Sequence, residues 1–436
     1  MCCLKQINQF KRTESEQKII KIMNEFTYVF LFALALSITV QLALGWKHIS
    51  HVLSHREKVP NAFQGKIPLQ AHQKAADYTQ AKVKTGFFEL LPTTIFLLIW
   101  TLGGALQLLD NSWRSLGLSD LWTGTAFLIS VIAIMSILDL PLSAYRTFRL
   151  EQKFGFNKMT VGIFVMDIIK NTTIGFLIGA PLLVLVLWIM NVAGGLWWLY
   201  VWMTWFGFSL FMMWAYPSFI APLFNKFKPL ENGELRDRIE SLLTRNGFTS
   251  NGIFVMDGST RSTHGNAYFT GLGSNKRIVF FDTLIEELSN DEIEAVLAHE
   301  LGHFKCNHIK KRMVIMGTLS LAGLAILGWL IDLPWFYQGL GISTPSNYMA
   351  LLLFVMISPT FTFFLQPIFS FTSRKHEFEA DDFAAGQAKA EHLIHALVNL
   401  YKENANTLTP DPMYSAFYDS HPPAPVRIAH LSEKAS

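Results

Sequence analysis

Residues 172–193 read TTIGFLIGAPLLVLVLWIMNVA, an apolar run without a charged side chain. A helix of roughly 20 apolar residues is long enough to cross the hydrocarbon core of a bilayer. The first apolar run of the chain, at residues 26–46, could be mistaken for a secretory signal. No small-residue cleavage site follows it, so we expect this run to be retained as a span. Seven stretches of this kind predict a mainly α, polytopic membrane protein with seven transmembrane helices, at residues 26–46, 87–109, 122–145, 172–193, 197–219, 313–331 and 348–371.

The composition agrees with this fold class. Of the 436 residues, 51% are hydrophobic and only 16% are charged, which is too apolar for an ordinary soluble enzyme. The net charge of +3 is small and is spread over several loops, so it gives no reason to expect nucleic-acid binding. Cys2, Cys3 and Cys306 are the only cysteines, and two of them are adjacent, so no disulfide framework is implied.

Lysine and arginine are distributed unevenly between the connections. They are frequent in residues 47–86, 146–171 and 310–312, and they are rare or absent in residues 110–121 and 332–347. Because basic loops tend to stay in the cytoplasm, the first group is expected on the cytoplasmic side.

The amino-terminal segment conflicts with this topology. Seven spans place the amino terminus opposite the basic loops, yet the first residues include several lysines. Translation from Met23 would remove the conflict. Residues 1–22 would then be an extraneous extension of the chain.

Soluble segments are expected at two places. The insertion between the fifth and sixth spans is predicted to form a small α/β cap on the membrane helices. The predicted parts of the cap are a helix at residues 231–245, strands at 253–256, 267–270 and 277–282, and a turn at 271–275. The predicted division of the chain is 23–224 for five spans with their loops, 225–312 for the cap, 313–371 for two further spans and 372–436 for a second soluble part.

The cap ends in the sequence HELGH, at residues 299–303. On a helix, His299 and His303 lie on one face and can bind a single Zn²⁺, while Glu300 is placed to act as general base on a metal-activated water. Two surface histidines on an amphipathic helix would be the alternative. The helix-start signal SNDE at residues 289–292 and the helical periodicity that follows favour the metal site.

A catalytic zinc usually has three protein ligands, so a third ligand is expected downstream. A metzincin pattern would need glycine at 306 and histidine at 309, where this chain has Cys306 and Ile309. His308 is one position out of register for that pattern. Cys306 is expected to be a small buried side chain and not a ligand.

Residues 373–381, SRKHEFEAD, supply the better candidate. The seventh span returns the chain to the side of the metal helix, so this segment is expected near His303. Glu377 is the predicted third ligand, and Asp381, one helical turn further on, is placed to support a ligand from behind. Glu379 and Asp382 are expected on a solvated face.

Several motifs in a fixed order resemble one family. They are HELGH at 299–303, NAYF at 266–269, KRIVFFDTL at 276–284, RKHEFEAD at 374–381 and HPP at 421–423. Together they closely resemble the integral-membrane type 1 CAAX prenyl proteases. The resemblance covers nearly the whole chain, including AADYT at 75–79 and EQKFGFN at 151–157, and leaves out only residues 1–22.

The resemblance implies a fold and a set of site residues. It implies a barrel of seven helices around a water-filled chamber, capped by the zinc domain. Its implied metal ligands are His299, His303 and Glu377, with Glu300 as general base and Asp381 as support. It also implies that His421, with Arg427 near it, stabilises the oxyanion, and that Asn266, Ala267, Tyr268 and Phe269 form a backbone template for an extended substrate. From the residues alone, His421 before two prolines would be a turn residue.

The expected function is a membrane-embedded zinc metalloendopeptidase with one Zn²⁺ per chain and CAAX prenyl protease-like activity on carboxyl-terminal tails. One alternative is a quality-control endopeptidase for misfolded or misinserted membrane proteins. Another is a channel or transporter with a structural zinc, against which the scarcity of intramembrane charges argues, Asp139 being an exception.

The expected partners are a peptide or protein substrate, prenylated or not, and the lipid bilayer, without nucleic acid and without an obligate protein partner. A bacterial inner membrane is favoured over the endoplasmic reticulum as the location. The active site is expected on the cytoplasmic side.

Overall fold

The structure, a computed structural model, describes residues 23–248, 250–271 and 276–435. Within these ranges, seven helical segments are long and apolar enough to cross a membrane, which confirms the predicted number. They are Glu25–Ser54, Leu69–Trp100, Asp120–Phe154, Val161–Val192, Gly194–Phe224, His308–Leu330 and Asn347–Gln387. The proposed extension at residues 1–22 and most of the turn predicted at 271–275 lie outside the described residues.

From residue 23 to the middle of the chain, the structure contains six helices of ten residues or more. They are α1 (Glu25–Ser54), α2 (Leu69–Trp100), α3 (Ala105–Arg114), α4 (Asp120–Tyr145), α5 (Val161–Val192) and α6 (Trp197–Ala215). Helix α1 begins at a capping box in which Asn24 accepts a hydrogen bond from the backbone N–H of Thr27 and the Thr27 hydroxyl accepts one from the backbone N–H of Asn24.

The helices extend beyond the apolar stretches predicted from the sequence, which corrects the expectation that residues 47–86 form a connection. The basic stretch 47–86 is not a loop, because α1 continues to Ser54 and α2 begins at Leu69. Hydropathy marks the part of a helix that fits the bilayer, whereas the helix itself continues until its backbone hydrogen bonds are capped or interrupted. Four of the seven lysines and arginines of this stretch therefore lie on the two helices, and the other three lie in the connection at 55–68.

The soluble insertion is built around a four-stranded sheet. Its elements are β1 (Phe227–Pro229), α7 (Glu234–Arg245), β2 (Ile253–Met256), β3 (Ala267–Thr270), β4 (Arg277–Phe281), α8 (Asp282–Glu287) and α9 (Asn290–Lys305). The strand order is β1-β2-β4-β3, with β2 and β4 parallel and the other pairs antiparallel. Strand β3 therefore lies at an edge of the sheet.

The predicted α7, β2, β3 and β4 are present, with small differences at their ends. Helix α7 starts at Glu234 and not at 231, and β4 ends at Phe281 because Asp282 begins α8. Strand β1 was not predicted from the sequence, because its three residues are too few for alternation to be visible.

The rest of the chain forms α10 (His308–Leu330), α11 (Pro334–Gln338), α12 (Asn347–Thr362), α13 (Gln366–Gln387), α14 (Ala390–Glu403), α15 (Pro412–Tyr418) and α16 (Ala424–Ala435). Helix α10 starts earlier than the expected 313. Only Cys306 and Asn307 separate it from α9, and Asn307 adopts a left-handed backbone with φ of 56°. The seventh span and the segment that carries Glu377 form one helical run, Asn347–Gln387.

The loop after the third span joins the membrane part to the soluble domain. Asn157 forms an isolated β-bridge with Ser262, and Thr263 donates a backbone hydrogen bond of 3.1 Å to the carbonyl of Phe156. The guanidinium of Arg261 makes two hydrogen bonds, of 2.8 and 2.9 Å, to the Asp167 carboxylate on α5. These contacts fix the segment that leads into β3, and they give EQKFGFN at 151–157 a structural role.

Candidate metal centre

Helix α9 carries the HELGH sequence and begins as predicted. Ser289 caps it, in a capping box with Glu292. The helix packs tightly against α13 at Gly302, where an added Cβ would lie 3.0 Å from Cα and 3.1 Å from the carbonyl oxygen of Ala380. Since both are backbone atoms, only glycine permits this approach. The close packing brings α13 to the histidine face of α9.

His299, His303 and Glu377 meet at this contact. Nε2 of His299 lies 3.4 Å from Oε2 of Glu377, and Nε2 of His303 lies 3.4 Å from Oε1. One donor atom from each residue lies within 4.8 Å of the other two. Glu377 and His299 are buried, and His303 is about one-fifth exposed.

The three side chains fit a divalent metal ion. Oε2 of Glu377 is buried and has no hydrogen-bond partner among the described residues. Nη1 of Arg427 lies 3.6 Å from this oxygen, beyond hydrogen-bond distance, so the buried carboxylate oxygen still lacks a close partner of the kind that a metal ion would supply. Two imidazole nitrogens with one carboxylate are also a usual donor set for a catalytic zinc site.

Asp381 and Arg427 lie behind His299. Nδ1 of His299 is 2.8 Å from Oδ1 of Asp381, so the imidazole donates there and turns Nε2 toward Glu377. Arg427 on α16 donates from Nε to Oδ2 of the fully buried Asp381 at 2.9 Å. Burial opposes the charge of Arg427, but the hydrogen bond and charge of Asp381 outweigh it and raise the pKa of the guanidinium.

A cavity of about 810 Å³ opens beside this cluster. His299, Glu300, His421 and Arg427 line one part of it, and residues of α1 and α2 such as Val83 line another. Burial raises the pKa of the Glu300 carboxyl above its usual value, against the opposing effect of the His299 and His303 imidazoles.

His421 lies on the cavity wall close to the same carboxylate. Its Nε2 is 3.4 Å from Oε1 of Glu377, and 62% of its side chain is exposed. The sequence HPP at 421–423 places this histidine just before α16, which carries Arg427. The residues that the family resemblance singled out near the carboxyl terminus thus lie with the HELGH helix.

Strand β3 meets the cavity at its first residues. Asn266 and Ala267 line the cavity, whereas Tyr268 and Phe269 are not among its lining residues. The Tyr268 ring packs edge-on against Phe281 on β4, with ring centroids 6.2 Å apart. The Phe269 ring packs against Phe248 and Phe304. Because neighbouring residues of a strand point to opposite faces, the side chains of Tyr268 and Phe269 pack on opposite sides of the sheet.

Two residues near the cluster have a closer connection to it than expected. Glu379, expected on a solvated face, is only 35% exposed, and its Oε2 lies 2.9 Å from Nε2 of His308. Nδ1 of His308 in turn lies 2.9 Å from Nδ1 of His303. Sequence spacing did not reveal this contact, because His308 belongs to α10 and helical periodicity does not continue past the break at Asn307.

Comparisons with known proteins agree with this arrangement. Residues 48–226 match the family described as CAAX prenyl protease N-terminal, five membrane helices, and residues 229–435 match peptidase family M48. The CAAX prenyl protease 1 homolog of Arabidopsis thaliana is 39% identical over 354 residues, which are 78% of this chain and 79% of that protein. CAAX prenyl protease 1 of Saccharomyces cerevisiae is 35% identical over 408 residues, which are 86% and 90% of the two chains.

A solved structure is also similar over almost the full length. The crystal structure of S. mikatae Ste24p superimposes with a TM-score of 0.87 at 32% identity, covering 94% of this chain and 99% of that one. These relatives are eukaryotic, so they do not support the expected bacterial inner membrane. Family M48 implies a metal cofactor and a peptide or protein substrate. The chain therefore belongs to peptidase family M48, as a multi-pass membrane metallopeptidase with the five-helix amino-terminal domain of the CAAX prenyl proteases.

Proposed function

We propose that the protein is a zinc endopeptidase that cleaves prenylated carboxyl-terminal CAAX tails inside the cavity. The observation that carries the proposal is the donor set of His299, His303 and Glu377 beside a cavity that His299 and Glu300 line. Oε2 of Glu377 has no hydrogen-bond partner among the described residues. When bound there, a zinc ion would lower the pKa of a water molecule and polarise the scissile carbonyl.

Glu300 is assigned the proton transfer. It follows His299 on α9 and opens to the same cavity, so it can take a proton from the attacking water and return it to the leaving amine. Asp381 holds the ring of His299, and Arg427 keeps Asp381 charged and in place.

His421 is assigned to the oxyanion. Its ring lies at the cavity wall beside Glu377, where an N–H could donate to the oxygen that becomes negative during peptide attack. It also explains why a histidine next to two prolines is placed at the cavity and not in a surface turn.

The edge strand β3 is assigned to substrate binding. The backbone N–H of Phe281 donates to the carbonyl of Asn266, so the alternating pattern of an antiparallel pair turns the backbone groups of Ala267 and Phe269 away from β4. An extended peptide could add to this edge as a further strand. Residues 266–269 would then bind the substrate through their backbone groups, independently of their side-chain contacts.

The prenylated substrate is inferred from the names of the relatives, which are CAAX prenyl proteases. Apolar residues of α2 at the cavity, Val83, Phe87 and Leu90, offer a surface that suits an isoprenoid chain. The purified protein should cleave a farnesylated CAAX peptide in detergent, and a zinc chelator should stop the cleavage.

The matched control is the same peptide without the farnesyl group. Equal cleavage of both peptides, or preferential cleavage of an unfolded membrane protein, would instead favour the quality-control alternative. We also place the metal centre on the cytoplasmic side, because the basic segments lie at the end of the spans where α9 enters α10.

A further inference from the structure

A chain of hydrogen bonds leads away from His303 on the side opposite Glu377. Nδ1 of His303 lies 2.9 Å from Nδ1 of His308, and Nε2 of His308 lies 2.9 Å from Oε2 of Glu379. The three residues come from α9, α10 and α13. None of the assignments above gives His308 or Glu379 a role.

If both imidazoles are neutral, only one placement of their hydrogens allows both hydrogen bonds to form. An ionised carboxylate can only accept, so Nε2 of His308 carries its hydrogen and donates to Glu379. Nδ1 of His308 is then an acceptor, and the hydrogen between the two rings belongs to Nδ1 of His303. Nε2 of His303 is left with a free lone pair, on the side where Glu377 lies 3.4 Å away.

The other histidine of the centre is held differently. His299 is buried and donates from Nδ1 directly to the Asp381 carboxylate at 2.8 Å. His303 is more exposed and lies in the last turn of α9, which ends at Lys305. It has more freedom to rotate, so it has greater need of a partner that fixes its ring.

The surroundings keep His308 and Glu379 in position. The ring of His308 stacks on that of His376, with centroids 4.1 Å apart and planes inclined by 14°. Nζ of Lys311 lies 3.7 Å from Oε2 of Glu379, which favours the ionised carboxylate. Both elements that carry the pair, α10 and α13, are long helices.

We propose that His308 and Glu379 are positioning residues, which set the tautomer and the ring orientation of His303 so that its Nε2 is free to bind the metal. The inference rests on the proposed metal centre. Partners of this kind typically contribute 10-fold to 100-fold in metal affinity. His303 would thus be oriented by a carboxylate as His299 is, but through an intervening imidazole.

The same place could instead be a second metal site, because donor atoms of Cys306, His308 and Glu379 lie within 4.8 Å of one another. Two observations favour the positioning role. Both nitrogens of His308 already have partners, and the ammonium of Lys311 beside Glu379 would repel a cation. Cys306 is therefore a matched control, since it belongs to this cluster but not to the hydrogen-bond chain.

The test measures zinc affinity of the full-length apoprotein in detergent, by competition with a chromogenic chelator. His308→Ala and Glu379→Ala should each weaken zinc binding by about 10-fold to 100-fold. The double variant should be no weaker than His308→Ala alone, because the two residues act in series. His308→Asn, whose amide oxygen can accept from Nδ1 of His303, should recover part of the affinity, and Cys306→Ser should bind like the wild type.

The visible spectrum of the Co²⁺-loaded protein supplies a readout that a purely structural role would not change. It should shift in His308→Ala and return toward the wild-type spectrum in His308→Asn. Wild-type affinity in both alanine variants would overturn the proposal, and so would a loss in Cys306→Ser equal to that in His308→Ala. A wild-type protein that binds no zinc would overturn the metal centre itself, which separates the failure of the two proposals.

Discussion

Glu300 and Glu377 both lie close to the two histidines, but Glu377 is buried and Glu300 is only partly buried. Glu377 lies between the Nε2 atoms of His299 and His303, in the position of a ligand. Glu300 opens to the cavity instead. Replacing a general base by a neutral residue should leave the metal bound, whereas replacing a metal ligand should weaken metal binding.

We therefore expect Glu300→Gln to retain zinc and to lose activity by several orders of magnitude. Metal analysis and peptide turnover on the same purified sample measure both quantities. Asp382→Ala is the matched control, since Asp382 is exposed and pairs with His430 at 2.8 Å. More than a few percent of wild-type turnover in Glu300→Gln would contradict the assignment.

Glu287 is a carboxyl outside the metal centre whose protonation should affect stability. One of its oxygens is buried without a hydrogen-bond partner among the described residues. Burial, and then the charge of Glu403, raise its pKa from 4.5 to about 7. Between these two pH values the folded protein keeps a proton that the unfolded chain releases, so stability should fall as the pH rises from about 4.5 to 7.

Glu287→Gln should remove that dependence and raise the apparent melting temperature near pH 7.5, by an amount equivalent to roughly 1–2 kcal/mol after allowance for solvent screening. Near pH 4.5 the variant should match the wild type. Glu286→Gln, at the exposed neighbouring position, removes only one of the smaller causes of the raised pKa of Glu287, so it should weaken the pH dependence only slightly. A wild-type melting temperature that rises from pH 5 to pH 7.5 relative to Glu287→Gln would show that the sign is wrong.

At the scale of elements, the contact of α9 with α13 determines whether the ligands meet. Gly302 lies on the face of α9 that touches the backbone of Ala380. An alanine there would favour the helix by its propensity, but its Cβ would be too close to backbone atoms that cannot turn aside. The two helices would have to separate by a few tenths of an ångström.

Gly302→Ala should therefore lower zinc affinity and the melting temperature together. Gly386→Ala, on α13 with open space around the added Cβ, should leave zinc affinity unchanged and stabilise the helix by up to about 1 kcal/mol. Chelator competition and thermal unfolding measure the two effects. Equal zinc affinity in both variants would mean that the close approach is not needed for the centre.

The elements also show what sequence reasoning can reach. The start of α9 at Ser289 was predictable because a capping box is a local signal, and β2 to β4 because their β-branched and aromatic residues are contiguous. The contact of His303 with His308 was not, because it depends on the angle between α9 and α10 after the left-handed Asn307. The role expected for Tyr268 and Phe269 came from family resemblance, and their side chains pack on opposite faces of the sheet, against Phe281 and Phe248 respectively.

At the scale of the whole molecule, the soluble parts form one core despite the spans between them. Leu297 on α9, Leu397 on α14 and Leu431 on α16 belong to a single buried cluster, which also includes Phe63 from the connection between α1 and α2. All these segments must therefore lie on one side of the membrane. The loop that contains α11 lies on the other side.

Cysteine labelling tests this topology and its orientation. In a cysteine-free background, Glu433→Cys and Asp332→Cys place one thiol on each side, both at exposed positions. In sealed vesicles whose cytoplasmic face is outward, an impermeant maleimide should label Glu433→Cys and spare Asp332→Cys until detergent is added. The reverse pattern would mean an inverted protein, with the metal centre on the non-cytoplasmic side.

The order of the site residues along the chain has a consequence for biosynthesis. His299 and His303 leave the ribosome first, and two more membrane crossings separate them from Glu377 and from Arg427 on α16. A nascent chain therefore has an incomplete centre until its last helix has been made and has docked. On the proposed assignment of the metal ligands, the unfinished enzyme would be unable to cleave neighbouring nascent chains, and a prematurely terminated copy would remain inert.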